Sequence, residues 1–489
     1  MMDGCGEYDF FYKDHTGIYG YSLEDDKTTK IVDYTASEIN AGDLQKIVPL
    51  NSETLIGSSW DQYGSSMTLY SKADPSEVKE KTTIILGSMW GVGDGIKDAA
   101  IEFNKENEKY RIEFVDYSEN EDPQTKMNAD IAAGNAPDII DLYNIPIGQY
   151  VSKDILEDLT PYFKKDEVVK KEDILPSVEK AMEIDGKLYY ISPGFSINTL
   201  VASKKDVGDK TGWTFKELKA LLEEKGKDVR LFYSENKNDI MSELIFYNIN
   251  DYIDWSSGKC RFDSDDFKSV LEVANEGTNA EMNYSDDAPG MLDLIHSGKV
   301  LLPYGDSGMN PWNVQTYKQI YNSDITFIGY PCEDKRGSYF NFVSTMGIYS
   351  KSQIKDGAWE FLRFLMTKDY QVSSGNDWDI PTNKDAFEAY MKKFTATKEY
   401  TDDYGNIIIP LGASDGEGES DYKYTPLSSD EEKQYRDLIN NTTKVVDFNV
   451  DVMNIIKEEA AIYFSGQKSL DDTAGIIQKR VTTYVNENK

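Results

Sequence analysis

The stretch from Lys126 to Asn144, KMNADIAAGNAPDIIDLYN, limits the possible folds of this chain more than any other. Thr125 to Ala133 places Met127 and Ile131 four residues apart with alanines between them, a helical spacing filled by strong helix formers. Gly134 and Asn135 are the residue types that close a helix in the left-handed conformation. Pro137 then holds Ala136 extended. Ile139, Ile140 and Leu142 form a short apolar run of the kind buried on both faces of a parallel sheet. The stretch therefore reads as helix, tight turn and buried strand. Tyr143 and Asn144 sit at the carboxyl end of that strand, where open α/β sheets place their ligands.

The preceding segment extends the pattern. Thr83 to Leu86 is β-branched and apolar; Ile96, Ala99, Ala100 and Phe103 fall on one helical face; Ile112, Phe114 and Tyr117 recur within a third, strand-like run. The order β-α-β-α-β predicts a parallel sheet with right-handed crossovers. Its ligand-facing loops are Ser88 to Asp94, Tyr117 to Asp122, and Tyr143 onward.

At 489 residues the chain is long enough for two or three domains. Its formal charge of −35 disfavours nucleic acid and anionic membranes as partners. No run of 18 apolar residues is present, so no membrane-spanning helix is expected. Met1 to Tyr12 lacks the basic and apolar regions of a signal peptide, and Cys5 lacks the preceding apolar stretch of a lipoprotein signal. Cys5, Cys260 and Cys332 are far apart and odd in number, and are read as unpaired thiols. With only His15 and His296, neither a zinc site nor a Ser-His-Asp triad has a recognisable motif. No cofactor or metal is expected. Tyrosine is abundant, at 33 residues, and suits ligands with one apolar and one hydroxylated face.

Residues 7 to 73 are of another kind. Phe10–Tyr12, Ile18–Leu23, Thr29–Val32, Ile47–Leu50, Thr54–Gly57 and Met67–Ser71 are short strand candidates, most of them separated by turn clusters. Gly17-Ile-Tyr-Gly-Tyr-Ser echoes Ser66-Met-Thr-Leu-Tyr-Ser at a period near that of β-propeller blades. Two readings stand: a partial propeller, which would make this chain the C-terminal part of a longer protein, or a small antiparallel sheet packed on the main body. Asp74 to Lys81 is the linker to the α/β part.

Further along, Asp185-Gly186 predicts a hairpin turn. Val229–Tyr233 and Val300–Pro303 predict strands. Phe215, Leu218, Leu221 and Leu222 mark an amphipathic helix, as do Phe267, Val270, Leu271 and Ala274; two more helices close the chain. A series of short sequences then recurs in fixed order. They are Phe103-Asn104 with Arg111-Ile112, Ala133-Gly-Asn-Ala-Pro-Asp138, Leu156-Glu-Asp-Leu-Thr-Pro161, and Asp185-Gly-Lys-Leu-Tyr189 with Pro193. Trp213-Thr214 with Glu217-Leu218, Ser297-Gly-Lys-Val300, Gly329-Tyr-Pro331 and Ala358-Trp-Glu-Phe361 follow. Pro381-Thr-Asn-Lys384 and Glu459 with Phe464-Ser-Gly466 complete them. Across roughly 83 to 485 this order resembles the family 1 extracellular solute-binding proteins of bacterial ABC importers.

The resemblance implies an α/β, two-lobed periplasmic-binding-protein fold with an interlobe cleft, preceded here by a small all-β segment. Lobe one would comprise 82–194 plus 325–370, and lobe two 195–324 plus 371–489, after the 1–73 segment and the 74–81 linker. It implies a non-enzymatic, monomeric receptor that captures a small-molecule solute, an oligosaccharide in most of the family, and delivers it to an ABC permease in the membrane. It also implies an extracellular or cell-surface location, with a lipid anchor supplied by an N-terminal part absent from this chain. The alternatives are a surface glycan-binding or sensing protein not coupled to transport, and a glycan-active enzyme with two cleft carboxylates; nothing in the sequence marks such a pair.

The candidate ligand-binding residues are Trp90, Tyr143, Asn144, Phe195, Ser196, Asp306, Ser307, Trp312 and Trp378. Trp90 lies in Gly87-Ser-Met-Trp-Gly-Val-Gly-Asp-Gly95, whose spacing and Asp94 do not fit a dinucleotide site. Tyr143 and Asn144 share its sheet edge. Phe195 and Ser196 follow the Pro193-Gly194 break near the hinge that the resemblance implies. Trp312, with Asp306 and Ser307, occupies the loop where the family often stacks an aromatic on sugar, and Trp378 precedes Ile380-Pro381. Trp359 and Trp213 are read as packing residues. Asp265-Asp266 is read as a pair of helix N-terminal charges, and Asp415, Glu417 and Glu419 as a solvated loop.

Overall fold

A computed structural model of the chain describes residues 2–488, apart from 15, 36, 40–43, 45, 52, 62–63, 74–79, 234–235, 256, 279–289, 304–307, 375–378, 410–422 and 447–448. The chain forms two compact units. The first contains Met1–Val168, Tyr189–Ile191 and Ser344–Thr367; the second contains Val169–Leu188, Ser192–Val343 and Lys368–Lys489.

The first unit opens with two antiparallel meanders. Strands β1 (Met2–Cys5), β2 (Tyr8–Lys13), β3 (Gly17–Ser22) and β4 (Lys27–Asp33) pair in sequence order, as do β5 (Lys46–Asn51), β6 (Thr54–Asp61) and β7 (Gly64–Ser71). All six strands expected in this region are present. β1 was not expected, because Met2-Asp-Gly-Cys carries turn-type residues; cross-strand pairing of Met2 with Phe11 draws it into the sheet. Phe11, Ile18, Tyr34, Ile39, Leu44, Ile47 and Leu55 form one buried cluster that includes residues of both meanders.

The α/β part follows as β8 (Thr82–Ser88), α1 (Asp94–Glu106), β9 (Tyr110–Asp116), α2 (Pro123–Ala133) and β10 (Ile139–Asp141). The strands lie in the order β9-β8-β10 and are parallel, with the strand Met346–Ile348 antiparallel on the outer side of β10. Ser88, Asp116 and Asp141 are thus at their carboxyl ends. Ile96, Ala99, Ala100 and Phe103 are the buried face of α1, and Phe103 meets Phe361 edge-on at 5.3 Å. Asn104 is buried beside them. Its amide donates to the Ile112 carbonyl at 3.1 Å and accepts the Ile112 N–H at 2.7 Å, riveting α1 to β9. Gly134 closes α2 with φ +79°, and the Asn135 N–H donates to the Asp130 carbonyl at 2.8 Å. Asp138, the last residue of that motif, accepts the Ile85 N–H at 3.0 Å and the Ser352 hydroxyl at 2.6 Å. The motif is therefore a structural joint between helix, strand and neighbouring loop.

In the second unit, Gly194–Asn198 lies between Ile380–Pro381 and Tyr339–Val343, antiparallel to both, and Lys444–Val445 runs parallel to Tyr339–Val343. Helices Phe215–Lys225, Lys237–Ile245, Asp265–Asn275, Val450–Phe464 and Leu470–Asn488 contribute to its apolar core. Thr214 and Glu217 form a reciprocal cap on the first of these helices, and Ser264 caps the third. Asp265 and Asp266 occupy the first turn of that helix, as expected. Glu459 is buried and receives Lys468 at 2.7 Å and Arg480 at 2.8 Å, which joins the last two helices.

Two expectations need correction. Val229–Tyr233 and Val300–Pro303 are not strands; they meet through a single parallel bridge, Arg230 to Val300, with few backbone bonds around it. Their leucines are buried, so apolar content alone suggested a ladder that the backbone does not extend. The Asp185-Gly186 hairpin turn is present as expected: both residues take positive φ, and Ile184 and Lys187 exchange backbone hydrogen bonds at 2.9 and 3.1 Å across it.

Candidate functional site

Trp90, Tyr143 and Asn144 come together in the first unit, at the carboxyl ends of β8 and β10. Ser88 ends β8 and is fully buried. Its hydroxyl lies 2.7 Å from the Asp141 carboxylate and 3.1 Å from the Gly91 carbonyl, and accepts the Trp90 N–H at 3.2 Å. Asp141 ends β10 and accepts the Tyr143 N–H at 3.1 Å. One hydroxyl–carboxylate contact therefore positions the backbone of both aromatic residues. Asn144 follows with φ +55°, a left-handed conformation that asparagine tolerates and that turns the chain back at once.

Both rings project from this support: Trp90 is 60% exposed and Tyr143 56%. Exposed rings over a fixed polar base suit a solute with apolar C–H faces and hydroxyl rims. Burial pushes the Asp141 carboxyl above the usual carboxylate range, against the opposite pull of the Ser88 hydroxyl and the Tyr143 N–H. Ser88 and Asp141 were not among the residues singled out from sequence. The available signal was an acidic residue ending an otherwise apolar strand, Pro137-Asp-Ile-Ile-Asp141.

The second unit holds the other described candidates. Phe195 is fully enclosed, its ring edge-on to Phe340 at 5.1 Å, so it is a core residue and offers no surface to a solute. The Gly194–Asn198 strand lies between two others and is buried at every residue, which accounts for it. Ser196 is buried on the same strand, opposite Asn341. The next residue, Ile197, accepts the Met309 N–H at 3.3 Å, which brings the loop carrying Trp312 alongside this strand. Trp312 precedes helix Asn313–Tyr321 and is half-buried, its ring edge-on to Phe394 at 5.5 Å. Nearby, buried Asn310 accepts the Tyr390 hydroxyl at 3.0 Å, while its amide nitrogen has no hydrogen-bond partner among the described residues. Asp306, Ser307 and Trp378 lie outside the described residues, as do His15 and the Asp415–Glu419 loop. Trp213 and Trp359 are buried, each donating its indole N–H, to the Gly329 carbonyl at 2.8 Å and to Asp166 at 2.7 Å respectively.

One cluster has metal-like composition. The ligand atoms of Asp251, Cys332 and Asp334 lie within 4.8 Å of one another. The Lys444 ammonium already sits in it, 2.6 Å from Asp251 and 3.1 Å from Asp334, and Arg336 pairs with Asp334 at 3.0 Å. Burial pushes the Cys332 thiol up to about 12, so beside Lys444 it is a protonated thiol. A cleft of about 790 Å³ in the same unit is lined by charges that pair among themselves, such as Lys318 with Glu431 at 3.1 Å and Lys433 with Asp437 at 2.5 Å. None of the described candidate residues lines it. Cys5, Cys260 and Cys332 are free thiols.

Comparison with known proteins places these features in context. The family description "bacterial extracellular solute-binding protein" matches residues 98–403. Among solved structures, the sugar-binding protein MalE of Xanthomonas citri is similar at 15% identity and a TM-score of 0.51, over 83% of this chain and 98% of that one. An extracellular solute-binding protein family 1 member from Alicyclobacillus acidocaldarius is similar at 16% identity and a TM-score of 0.50, over 84% of this chain and 100% of that one. These likenesses carry the fold of the α/β part, which is of the periplasmic-binding-protein kind; the all-β segment ahead of it is seen in this chain's own strands.

Proposed function

This chain belongs to the bacterial extracellular solute-binding proteins, and from that premise we propose that it captures an oligosaccharide and hands it to an ABC permease at the cell surface. The observation that carries the reading is the pair of exposed rings, Trp90 and Tyr143, held on the Ser88–Asp141 contact at the carboxyl edge of a parallel sheet. In this reading the rings pack on the C–H faces of sugar units, and the Asn144 amide takes hydroxyls. The sugar-binding MalE neighbour supports the choice of solute class. The α/β part of the first unit, from Thr82, and the second unit serve as the two solute-binding lobes. Trp312, with Asp306, Ser307, Ser196 and Trp378, supplies the second unit's share of the site. Phe195 has no part in it. The solute is bound and released with no bond made or broken, and closure of the lobes signals the loaded state to the permease. A lipid anchor would keep the receptor at the membrane.

Titration of intrinsic tryptophan fluorescence and of Tm with a panel of oligosaccharides tests the reading, because a ligand that binds only the folded state raises Tm with concentration. Trp90→Ala should weaken binding of the responding glycan by roughly 2 kcal/mol, about thirtyfold, the range of an aromatic anchor, without lowering Tm appreciably. Trp312→Ala should weaken it similarly and also lower stability by about 1–2 kcal/mol, since its half-buried ring leaves Phe394. A responding glycan whose affinity neither substitution alters would refute the assignment. Accumulation of reducing ends would favour an enzyme instead.

A further inference from the structure

The carboxylates near the Trp90 and Tyr143 rings differ in what they are already bound to, and one of them keeps an uncommitted oxygen. The segments at the carboxyl ends of β8, β9 and β10, residues 88–94, 116–122 and 141–146, hold Asp94, Asp116, Glu119, Glu121, Asp122 and Asp141 and no lysine, arginine or histidine. Asp94 pairs with Lys97, outside these segments, at 3.1 Å. Asp122 caps α2, accepting the Thr125 N–H at 3.0 Å and the Thr125 hydroxyl at 2.7 Å. Asp141 has one oxygen on the Tyr143 N–H and the other on Ser88. Glu119 and Glu121 are exposed between β9 and α2. Asp116 is different. It ends β9 in register with Ser88, and so flanks Ser88 on the side opposite Asp141. It is half-buried; its Oδ1 accepts the Ser118 N–H at 2.8 Å, while its Oδ2 has no partner among the described residues. That oxygen lies against Gly91, the residue after Trp90: a Cβ added to Gly91 would stand 3.5 Å from it. Glycine at this position, required also by its φ of +81°, leaves the oxygen free of cover by a side chain there.

We propose that the solute carries a protonated amine, as in an oligosaccharide of unacetylated hexosamines, and that Asp116 receives that amine beside the Trp90 ring. The inference rests on the oligosaccharide reading above and adds the charge of the solute to it. An ammonium gains three interactions here. The open face of Trp90, 60% exposed, attracts a cation through the ring quadrupole. The uncommitted Asp116 oxygen accepts a charge-assisted hydrogen bond from it. The surrounding acidic segments, which contain no balancing cation, concentrate positive charge at the sheet edge. A neutral sugar gains the stacking and a weaker hydrogen bond only. A uronate or a sulfated sugar meets repulsion from Asp116, Glu119 and Glu121 instead. Asp116 is thus a specificity-determining residue, whereas Asp141, with both oxygens occupied, supports the loops.

Titration calorimetry of the intact chain at about pH 6, between the carboxylate and amine ranges, tests the proposal. The probes are glucosamine and galactosamine oligomers, each beside its N-acetylated counterpart, with malto- and cello-oligosaccharides as neutral probes and galacturonate oligomers as anionic ones. The expected result is an amine oligomer whose affinity falls about tenfold on N-acetylation and falls with added salt, with no binding of galacturonate. Asp116→Asn keeps the side-chain shape and an acceptor for the Ser118 N–H. It should weaken the amine oligomer about tenfold while leaving its N-acetylated counterpart and the Tm of the free protein unchanged; a merely structural role would weaken both ligands alike. A neutral or anionic oligosaccharide that binds as tightly as any amine oligomer, and that Trp90→Ala weakens, would overturn the amine and leave the oligosaccharide reading standing. Binding of an amine oligomer that Asp116→Asn leaves intact would overturn the role of Asp116. Failure of every oligosaccharide to bind would overturn the oligosaccharide reading, and this inference with it.

Discussion

The Ser88–Asp141 contact should behave as an energetic couple, and the magnitude follows from its surroundings. The hydroxyl and carboxylate oxygens are 2.7 Å apart and Ser88 is buried, so the bond belongs to the charge-assisted class, worth about 1.5–3 kcal/mol. Asp141→Ala does not lose all of this. Ser88 can still donate to the Gly91 carbonyl at 3.1 Å, water can reach the exposed Tyr143 N–H, and the cost of burying a carboxylate disappears. Asp141→Ala should therefore cost only about 1 kcal/mol of stability. Ser88→Ala should cost more, about 2 kcal/mol, because it strips a donor from a carboxylate that stays in place and an acceptor from the Trp90 N–H. The double variant should fall short of the sum by about 1–2 kcal/mol. Urea denaturation of the four proteins measures the cycle, and glycan titration should show affinity reduced about fivefold in each single variant as the loops bearing Trp90 and Tyr143 loosen. A coupling energy below about 0.5 kcal/mol, the scatter of independent sites, would show that the contact does not organise the site. The pH dependence is a second test. Burial raises the Asp141 carboxyl above its unfolded value, so the folded chain holds this proton more tightly. Its contribution to folding is fully present below the unfolded pKa and is lost as pH rises through the folded one. Relative to Asp141→Asn, which cannot titrate, the wild type should gain stability as pH falls; the opposite trend would contradict the burial argument.

Asn104→Ala removes both side-chain bonds to Ile112 in a buried setting and should cost about 2–4 kcal/mol; a loss under about 1 kcal/mol by urea denaturation would mean the joint between α1 and β9 is carried by packing alone. Lys444→Met removes the ammonium that Asp251 and Asp334 share, leaving Asp334 its 3.0 Å pair with Arg336, and should cost about 2 kcal/mol, between the exposed and the buried cases. Although burial pushes Asp334 upward, the Arg336 N–H, the Cys332 thiol and Lys444 together hold it at about 2, below its unfolded value of 3.8. Its stabilisation is therefore present above that unfolded value and lost as pH falls toward 2, and Lys444→Met should move acid unfolding to higher pH. An unchanged acid midpoint would show that Lys444 has no hold on Asp334.

Local sequence determined a large part of this protein, because the relevant physics is local. The Gly134-Asn135 stop and the Ile96–Phe103 face depend on residues within a turn or two of one another, and each occurs where its pattern predicts it. The alternating strands of residues 7–73 were legible for the same reason, and the ordered motifs carried the family because they encode joints such as Asn104 to Ile112 and Asp138 to Ser352. Other features depend on partners far away in the chain. Val229–Tyr233 and Val300–Pro303 are apolar enough for strands, but whether a ladder forms depends on the backbone that each one meets. Phe195 and Trp90 are both aromatic residues beside a glycine at a strand terminus, yet one is sealed against Phe340 and the other is open to solvent. Ser88 and Asp141, 53 positions apart, become a pair only because β8 and β10 are neighbours in register. Exposure and long-range hydrogen bonding are set by what packs against a residue, and that is decided only when the chain has folded.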